Sequence, residues 1–206
     1  MSDHIDYYLS IISPFAYMGH QAFFDMAAKH GKTVNVKLFN MADVFANSGA
    51  APVPQRPPVR QRYRLLELQR ISELRRVALN TMPKFFPTNP ARADLCACAL
   101  INQGKDVKSF LFALPEAFWA KELDISDEAV LSELLEACGH DAAATLAASH
   151  EDSSTELHAA NTKAAMAVDA VGAPAYVYDG EVFWGQDRID YLDRMITSGR
   201  AAFKPE

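Results

Sequence analysis

The chain has 206 residues, of which half are hydrophobic and 22% are charged. This length and apolar content suit one globular domain with a full core and exclude a largely disordered chain. The formal net charge of −6 argues against a general affinity for nucleic acids. The charge is unevenly spread, because residues 56–76, the basic window, hold seven arginines against two glutamates. The window's net charge is therefore +5, which leaves −11 for the rest of the chain.

The N-terminal sequence and the cysteine content favour a cytoplasmic protein. MSDHIDYY lacks the basic and apolar segments of a signal peptide. The longest stretch without a charged side chain, residues 7–24, is interrupted by Pro14 and Gly19, so we do not expect a membrane span. Three cysteines are an odd, sparse set that predicts reduced, buried thiols. The scattered histidines predict no metal site.

The first forty residues predict a β-α-β unit. Residues 4–9 and 34–39 have the composition or alternation of strands, and the apolar spacing of residues 14–30 is typical of an amphipathic helix. Ser13 can cap the free amides of this helix, and Pro14 suits its first position. Such a unit implies a parallel pair of strands.

The middle of the chain predicts helices and no strand between residues 45 and 170. Residues 47–58 are rich in proline, glycine and alanine, which indicates a loop. The spacing of Leu68, Ile71, Leu74 and Ala78 predicts a helix from residue 59 to about 80. The other predicted helices cover residues 92–103, 107–119, 127–138 and 142–170.

Strands return near the C-terminus. Residues 175–178 and 181–184 flank Asp179-Gly180, a favoured two-residue hairpin turn, and a last helix is predicted from Asp187 onward. The order β-α-β, helices, β-β-α is that of a thioredoxin-like α/β fold with a helical insertion. We therefore expect a discontinuous thioredoxin-like domain, residues 1–45 and 165–206, and an inserted helical domain, residues 46–164.

Ser13 begins the first candidate site, the turn Ser13-Pro14-Phe15-Ala16. In thioredoxin-like folds this turn carries two cysteines at a helix N-terminus, where the helix dipole favours a thiolate. Because neither end is cysteine here, dithiol redox chemistry is excluded. A serine hydroxyl at this place can donate to a thiolate brought by a ligand, or it can be a plain N-cap.

Two further motifs lie around the predicted hairpin. A cis Ala173–Pro174 bond would leave the Ala173 amide and carbonyl free to pair with an extended peptide, although an ordinary trans turn is equally compatible with the sequence.

At the start of the last helix, the Asp187 carboxylate could hold an ammonium group, and Gln186 offers both a donor and an acceptor. A helix cap with surface charges is the alternative there.

Together, the segment from Tyr7 to Tyr17 and the stretch GAPAYVYDGEVFWGQDRIDYL resemble the glutathione-dependent 2-hydroxychromene-2-carboxylate isomerases and the related kappa-class glutathione transferases. Both belong to the DsbA-like branch of the thioredoxin superfamily. The resemblance covers essentially the whole chain. It implies a thioredoxin-like fold with a large all-helical insertion, glutathione as cofactor, a small aromatic carboxylate as substrate and a homodimer. From charge and hydropathy we expect neither nucleic acid nor membrane as a partner.

The resemblance also implies roles for individual residues. Ser13 would be catalytic and lie against the glutathione sulfur, while Ala173 and Pro174 would meet the tripeptide backbone. The remaining expected glutathione contacts are Gln186 and Asp187 at the γ-glutamyl end and Arg60, where the family usually has lysine. Phe15, Tyr17 and Trp184 are the expected aromatic-pocket residues. Ala50 stands where the family often has an asparagine that touches glutathione.

The implied reaction is cis-trans isomerisation through reversible addition of the glutathione thiolate to an unsaturated carbon of the substrate. The basic window, and Arg60 above all, would bind small anions, although a solvated helix face is the alternative. Two other functions remain open. A kappa-like glutathione transferase would consume glutathione, and a non-catalytic interaction module would have kept only the fold.

Overall fold

The computed structural model describes residues 2–205, which form four strands and nine helices. The strands are β1 (His4–Leu9), β2 (Thr33–Leu38), β3 (Ala175–Tyr178) and β4 (Glu181–Trp184). The helices are α1 (Pro14–Lys29), α2 (Met41–Ser48), α3 (Pro58–Arg75), α4 (Ala91–Asn102), α5 (Lys108–Trp119), α6 (Glu128–Ala137), α7 (Ala142–Ser149), α8 (Asp152–Ala167) and α9 (Ile189–Ser198). Short 3-10 turns occur at Val53–Gln55 and Gln186–Arg188. No helix within these residues is long and apolar enough to cross a membrane.

The four strands form one mixed sheet in the order β2-β1-β3-β4. β1 and β2 are parallel, as the β-α-β pattern predicts, whereas β3 is antiparallel to both β1 and β4. Asp179 and Gly180 both have positive φ, 50° and 86°, which is the backbone of a type I′ turn. The predicted hairpin is thus confirmed, and both of its strands have the predicted bounds.

The two faces of the sheet are covered by different helices. Tyr7 and Tyr176 project from neighbouring strands, stack with ring centroids 5.2 Å apart, and belong to the core that contains apolar residues of α1, α4 and α5. Tyr8 and Val177 point to the opposite face, into a smaller core with residues of α2 and α8. This alternation follows from the two-residue period of a strand. The larger core continues without a break from the sheet into the helices.

Several predicted helix boundaries need correction. A helix, α2, occupies residues 41–48, although residues 47 and 48 were predicted to be loop. The long helix predicted over residues 142–170 is two helices, because the chain turns at His150 and Glu151. Helix α3 ends at Arg75, since Arg76 adopts a left-handed conformation with φ of 54°. Leu74, predicted on its buried face, is 75% exposed.

Candidate functional site

Ser13 lies at the N-terminus of α1, in the turn that follows β1. Its hydroxyl accepts a hydrogen bond from the Ala16 amide at 3.3 Å, so the predicted N-cap is present. The same hydroxyl donates to the carbonyl oxygen of Ala173 at 3.2 Å. The side chain thus combines a helix terminus, which favours negative charge, with a hydroxyl proton that can be directed at a ligand.

The turn before β3 lies beside Ser13. The Ala173–Pro174 peptide bond is cis. The Ala173 carbonyl is occupied by Ser13, while the Ala173 amide has no acceptor among residues 2–205. Gly172 packs closely here, since a Cβ atom added to it would lie 3.0 Å from Trp184 Nε1. One backbone donor in this turn is therefore available to a ligand.

A cavity of about 340 Å³ opens in front of Ser13 and Ala173. Much of its wall is apolar and comes from segments that are distant in the sequence. These apolar lining side chains include Ile12, Phe15, Met41, Phe45, Val53, Phe86 and Trp184. Ala50 contributes only a methyl group at the position where the resemblance implies an asparagine. The volume and the lining suit a small, partly aromatic ligand.

Three arginines supply the charge of this cavity. Arg56, Arg60 and Arg64 all line it, and no acidic side chain does. None of the three forms an ion pair with a carboxylate anywhere in residues 2–205. Arg56 is fixed by a hydrogen bond from its Nε to the Ala51 carbonyl at 2.8 Å. The cavity therefore carries net positive charge, which is complementary to an anionic ligand.

Burial changes the acidity of two of these arginines. Burial, and secondarily the neighbouring charge of Arg60, lowers the pKa of Arg56. Arg64 is only 8% exposed, and its burial together with the charge of Arg56 lowers its pKa to about 10. Both side chains stay protonated at neutral pH, and a nearby anion would stabilise the charged form of each guanidinium.

The other arginines of the basic window serve different purposes. Arg70 pairs with Glu67 on the same helix. Arg75 donates from Nε to Gln186 Oε1 at 3.0 Å and from a terminal nitrogen to the Gln186 carbonyl at 3.2 Å. Arg62 and Arg76 are exposed to solvent. The arginines of the window thus differ in their surroundings: some line the cavity, Arg75 is hydrogen-bonded to Gln186, and others are exposed to solvent.

Gln186 and Asp187 lie in a separate groove of about 380 Å³, and Phe15 lines both the groove and the cavity. The Gln186 side-chain oxygen accepts a hydrogen bond from Arg75, while its amide donors have no partner within residues 2–205. The Asp187 carboxylate is exposed and paired with Arg188 at 2.6 Å. The expected γ-glutamyl contacts are thus brought next to the Ser13 cavity, on the other side of one phenylalanine.

The structure does not bring every expected residue to the cavity. Tyr17 is buried, and its hydroxyl donates to the Ala78 carbonyl at 3.0 Å. Burial raises the pKa of Tyr17 to about 12. Tyr17 and Pro174 are not part of the lining, whereas Phe15, Trp184 and Ala173 are. Tyr17 faces the core because it lies on the inner side of α1, two residues after the outward Phe15.

Sequence reasoning did not single out Arg56 and Arg64, although the sequence contains a signal for them. Residues 60 and 64 are one helical turn apart on α3, and Arg56 precedes Arg60 by the same spacing. Arg60 and Arg64, with no acidic residue between them, indicate a cationic face on the first turns of this helix, and Arg56 lies in the loop just before it. The contributions of Phe45 and Phe86 depend on tertiary contacts and have no comparable signal.

The protein's own thiols are unsuited to nucleophilic chemistry. Burial raises the pKa of Cys96 to about 11 and that of Cys98 to about 12. It also raises the pKa of Cys138, the least buried of the three. None of them lines the cavity. The fold therefore presents a thiolate-favouring helix terminus without a protein thiol at it.

Comparison with known proteins agrees with this architecture. Residues 4–197 match the family model of the DSBA-like thioredoxin domain. A 2-hydroxychromene-2-carboxylate isomerase of Sphingobium xenophagum is 27% identical over 199 residues, covering 95% of this chain and 99% of that protein. The expected resemblance to these isomerases is thereby confirmed.

Two solved structures show the same fold. A 2-hydroxychromene-2-carboxylate isomerase superimposes with a TM-score of 0.80 at 22% identity, covering 94% of each chain. The cytosolic disulfide reductase DsbM of Pseudomonas aeruginosa, solved with GSH, superimposes with a TM-score of 0.66 at 16% identity, covering 95% of this chain and 98% of that one. The predicted thioredoxin-like, DsbA-like fold is confirmed.

Proposed function

Because the chain belongs to the family of DSBA-like thioredoxin domains, we propose that it is a glutathione-dependent isomerase. Its substrate would be an aromatic carboxylate of the 2-hydroxychromene-2-carboxylate type, converted into the trans-o-hydroxybenzylidenepyruvate type. One observation carries the proposal. The helix terminus that favours a thiolate holds the hydroxyl of Ser13 in place of a cysteine, and the cavity in front of it is cationic and partly aromatic.

The residues present fit glutathione. The Ala173 amide, which has no acceptor in residues 2–205, is a donor of the kind that an extended peptide backbone requires. Arg60 and Arg56 offer positive charge for a carboxylate at the mouth of the cavity. Asp187, in the adjoining groove, offers a carboxylate for the γ-glutamyl ammonium group. Ala50 makes no polar side-chain contact, so the arginines carry more of the binding.

Ser13 stabilises negative charge at the reacting sulfur. Glutathione, when bound, supplies a thiolate that adds reversibly to an unsaturated carbon, so that a double bond becomes single and can rotate. The Ser13 hydroxyl donates a hydrogen bond to the thiolate. The N-terminus of α1 and the nearby arginines stabilise the thiolate's negative charge electrostatically. Each interaction lowers the pKa of a thiol at this place.

The apolar side of the cavity holds and orients the substrate. Phe45, Phe86 and Trp184 are spaced around the same volume as Ser13, so an aromatic ring can contact them while its unsaturated side chain meets the sulfur. Such contacts exclude water from the thiolate and keep the reacting atoms close. Binding energy from the ring is then available for orienting the carbon that is attacked.

Calorimetric titration with reduced glutathione tests the cofactor assignment. We expect saturable binding by the wild-type chain and weaker binding by Arg60→Gln, because a carboxylate loses its cationic partner. Arg62→Gln is the matched control, since Arg62 lies on the same helix but is exposed and outside the cavity lining. Absence of binding by the wild-type chain would instead support a non-catalytic module.

A further inference from the structure

Arg64 has a different environment from the other cavity arginines. It is 8% exposed, whereas Arg60 is exposed and Arg56 is half-buried. The guanidinium carbon lies 5.6 Å from the ring centroid of Phe86 and 6.0 Å from that of Trp119. Within residues 2–205 it makes no ion pair and donates no hydrogen bond. Arg64 is thus a largely buried cation whose N–H donors have no protein partner within these residues, and its nitrogens keep some exposure.

A largely buried guanidinium is stabilised when an anion or a hydrogen-bond acceptor reaches its N–H groups. A buried charge needs a counter-ion or hydrogen-bond acceptors, and contact with aromatic faces supplies only part of this. The guanidinium lies beside two aromatic rings, and Arg64 also lines the cavity. A planar anion entering the cavity can therefore accept two parallel hydrogen bonds from the unused donors, as carboxylates do from arginine.

We propose that Arg64 binds the carboxylate of the aromatic substrate and makes the site specific for aromatic acids. This inference rests on the proposed function, in which Arg60 and Asp187 receive the charged ends of glutathione. Arg64 lies one helical turn beyond Arg60, and Phe86 lines the cavity and packs against Arg64. A ring packed on Phe86 brings its attached carboxylate to the guanidinium.

The carboxylate at Arg64 could come from the substrate or from glutathione, and binding measurements separate the two. The probe is chromone-2-carboxylate, a planar aromatic acid, compared with its neutral carboxamide, each titrated calorimetrically. We expect Arg64→Gln to weaken binding of the acid about tenfold or more, with little change for the carboxamide. Arg64→Lys, which keeps the charge but not the fork of donors, should lose less. Arg62→Gln is the control that should change neither.

Glutathione titrations of the same variants complete the test. We expect Arg64→Gln to leave glutathione affinity within about twofold of the wild type. Equal losses for the acid and the carboxamide in both Arg64 variants would indicate a structural role and overturn the proposal. It would also be overturned if glutathione affinity fell instead, or if the wild type bound no acid. Acid binding that depends on Arg64 in a chain without isomerase activity would refute the proposed function alone.

Discussion

The hydroxyl of Ser13 donates a hydrogen bond to the Ala173 carbonyl, 160 residues further along the chain and 3.2 Å away. This contact joins the two turns that meet at the cavity. A hydroxyl has a single proton, so the hydrogen bond that joins the turns uses the same donor that would serve a thiolate. If the Ser13 side chain rotates toward a bound thiolate, its hydroxyl exchanges the Ala173 carbonyl for a charged and therefore stronger acceptor.

Ser13→Ala should lower isomerase turnover about ten- to a hundredfold, which corresponds to the loss of a hydrogen bond to a charged group. The change also removes the N-cap of α1, which costs about 1 kcal/mol of stability. Steady-state kinetics with saturating glutathione give the first effect, and chemical denaturation gives the second.

Asp141→Ala is the matched control for Ser13→Ala. Asp141 caps α7 through a hydrogen bond to the Ala144 amide at 2.9 Å and lies outside the cavity. It should lose similar stability and keep full turnover. Unchanged turnover in folded Ser13→Ala protein would remove the hydroxyl from the mechanism.

A second substitution at the same place tests the electrostatics of the helix terminus. The thiol introduced by Ser13→Cys should have a pKa below about 8.5, the value of free cysteine, because the dipole of α1 and the cavity arginines favour its anion. The ultraviolet absorbance of the thiolate, followed against pH, measures it. Cys98, whose pKa burial raises to about 12, is the internal contrast. An introduced thiol with a raised pKa would mean that burial outweighs the dipole.

Gly19 lets α1 pack closely against Gln186, which lines the groove. A Cβ atom added to Gly19 would lie 2.7 Å from the Cβ of Gln186 and 3.3 Å from the Tyr176 hydroxyl. Gly19→Ala should therefore cost about 1–3 kcal/mol of stability and weaken glutathione binding. Gln21→Ala, at an exposed position of the same helix, should do neither. If both variants unfold with the wild-type free energy, then α1 and the 3-10 turn can move apart to accept the added methyl group without loss of stability.

His20 makes stability depend on pH. It is buried in α1 with Nδ1 2.8 Å from the Tyr7 hydroxyl, and burial lowers its pKa to about 3 from an ordinary 6.5. The unfolded chain therefore binds the proton first, so this stabilisation is full above pH 6.5 and is lost as pH falls toward 3.

The stability difference between wild type and His20→Gln should accordingly shrink by about 1.4 kcal/mol per pH unit below pH 6.5. Glutamine can still bond the Tyr7 hydroxyl, so the two proteins differ mainly in the titrating group. Denaturant unfolding at pH 7 and pH 5 measures the effect. Parallel pH dependences would mean that His20 is not held neutral.

Local sequence signals predicted much of the fold because they act over a few residues. Ser13-Pro14 marks the start of α1, and Asp179-Gly180 fixes the hairpin. Helix α2 escaped prediction because its eight residues are too few for a clear apolar period, although Asn40 caps its start and Gly49 ends it. The break near His150 has neither proline nor glycine, so the alanine-rich composition predicted one continuous helix.

The candidate site was less predictable because long-range packing assembles it. Ser13 and Ala173 were predicted from motifs and Arg60 from the family resemblance, and all three line the cavity. Phe86 reaches it from the connector between α3 and α4, which carries no periodic pattern. Tyr17, like Phe15, is an aromatic residue near the start of α1, but its side chain points into the core. Only the direction of each side chain on α1 distinguishes them.

The central claim is that this chain isomerises an aromatic carboxylate with glutathione as a recycled cofactor. Its most direct test is the rate of interconversion of 2-hydroxychromene-2-carboxylate and trans-o-hydroxybenzylidenepyruvate, with and without reduced glutathione, while glutathione is quantified before and after. The account predicts acceleration that requires glutathione and leaves its amount unchanged. No acceleration, full activity after exhaustive removal of thiols, or stoichiometric loss of glutathione would contradict it.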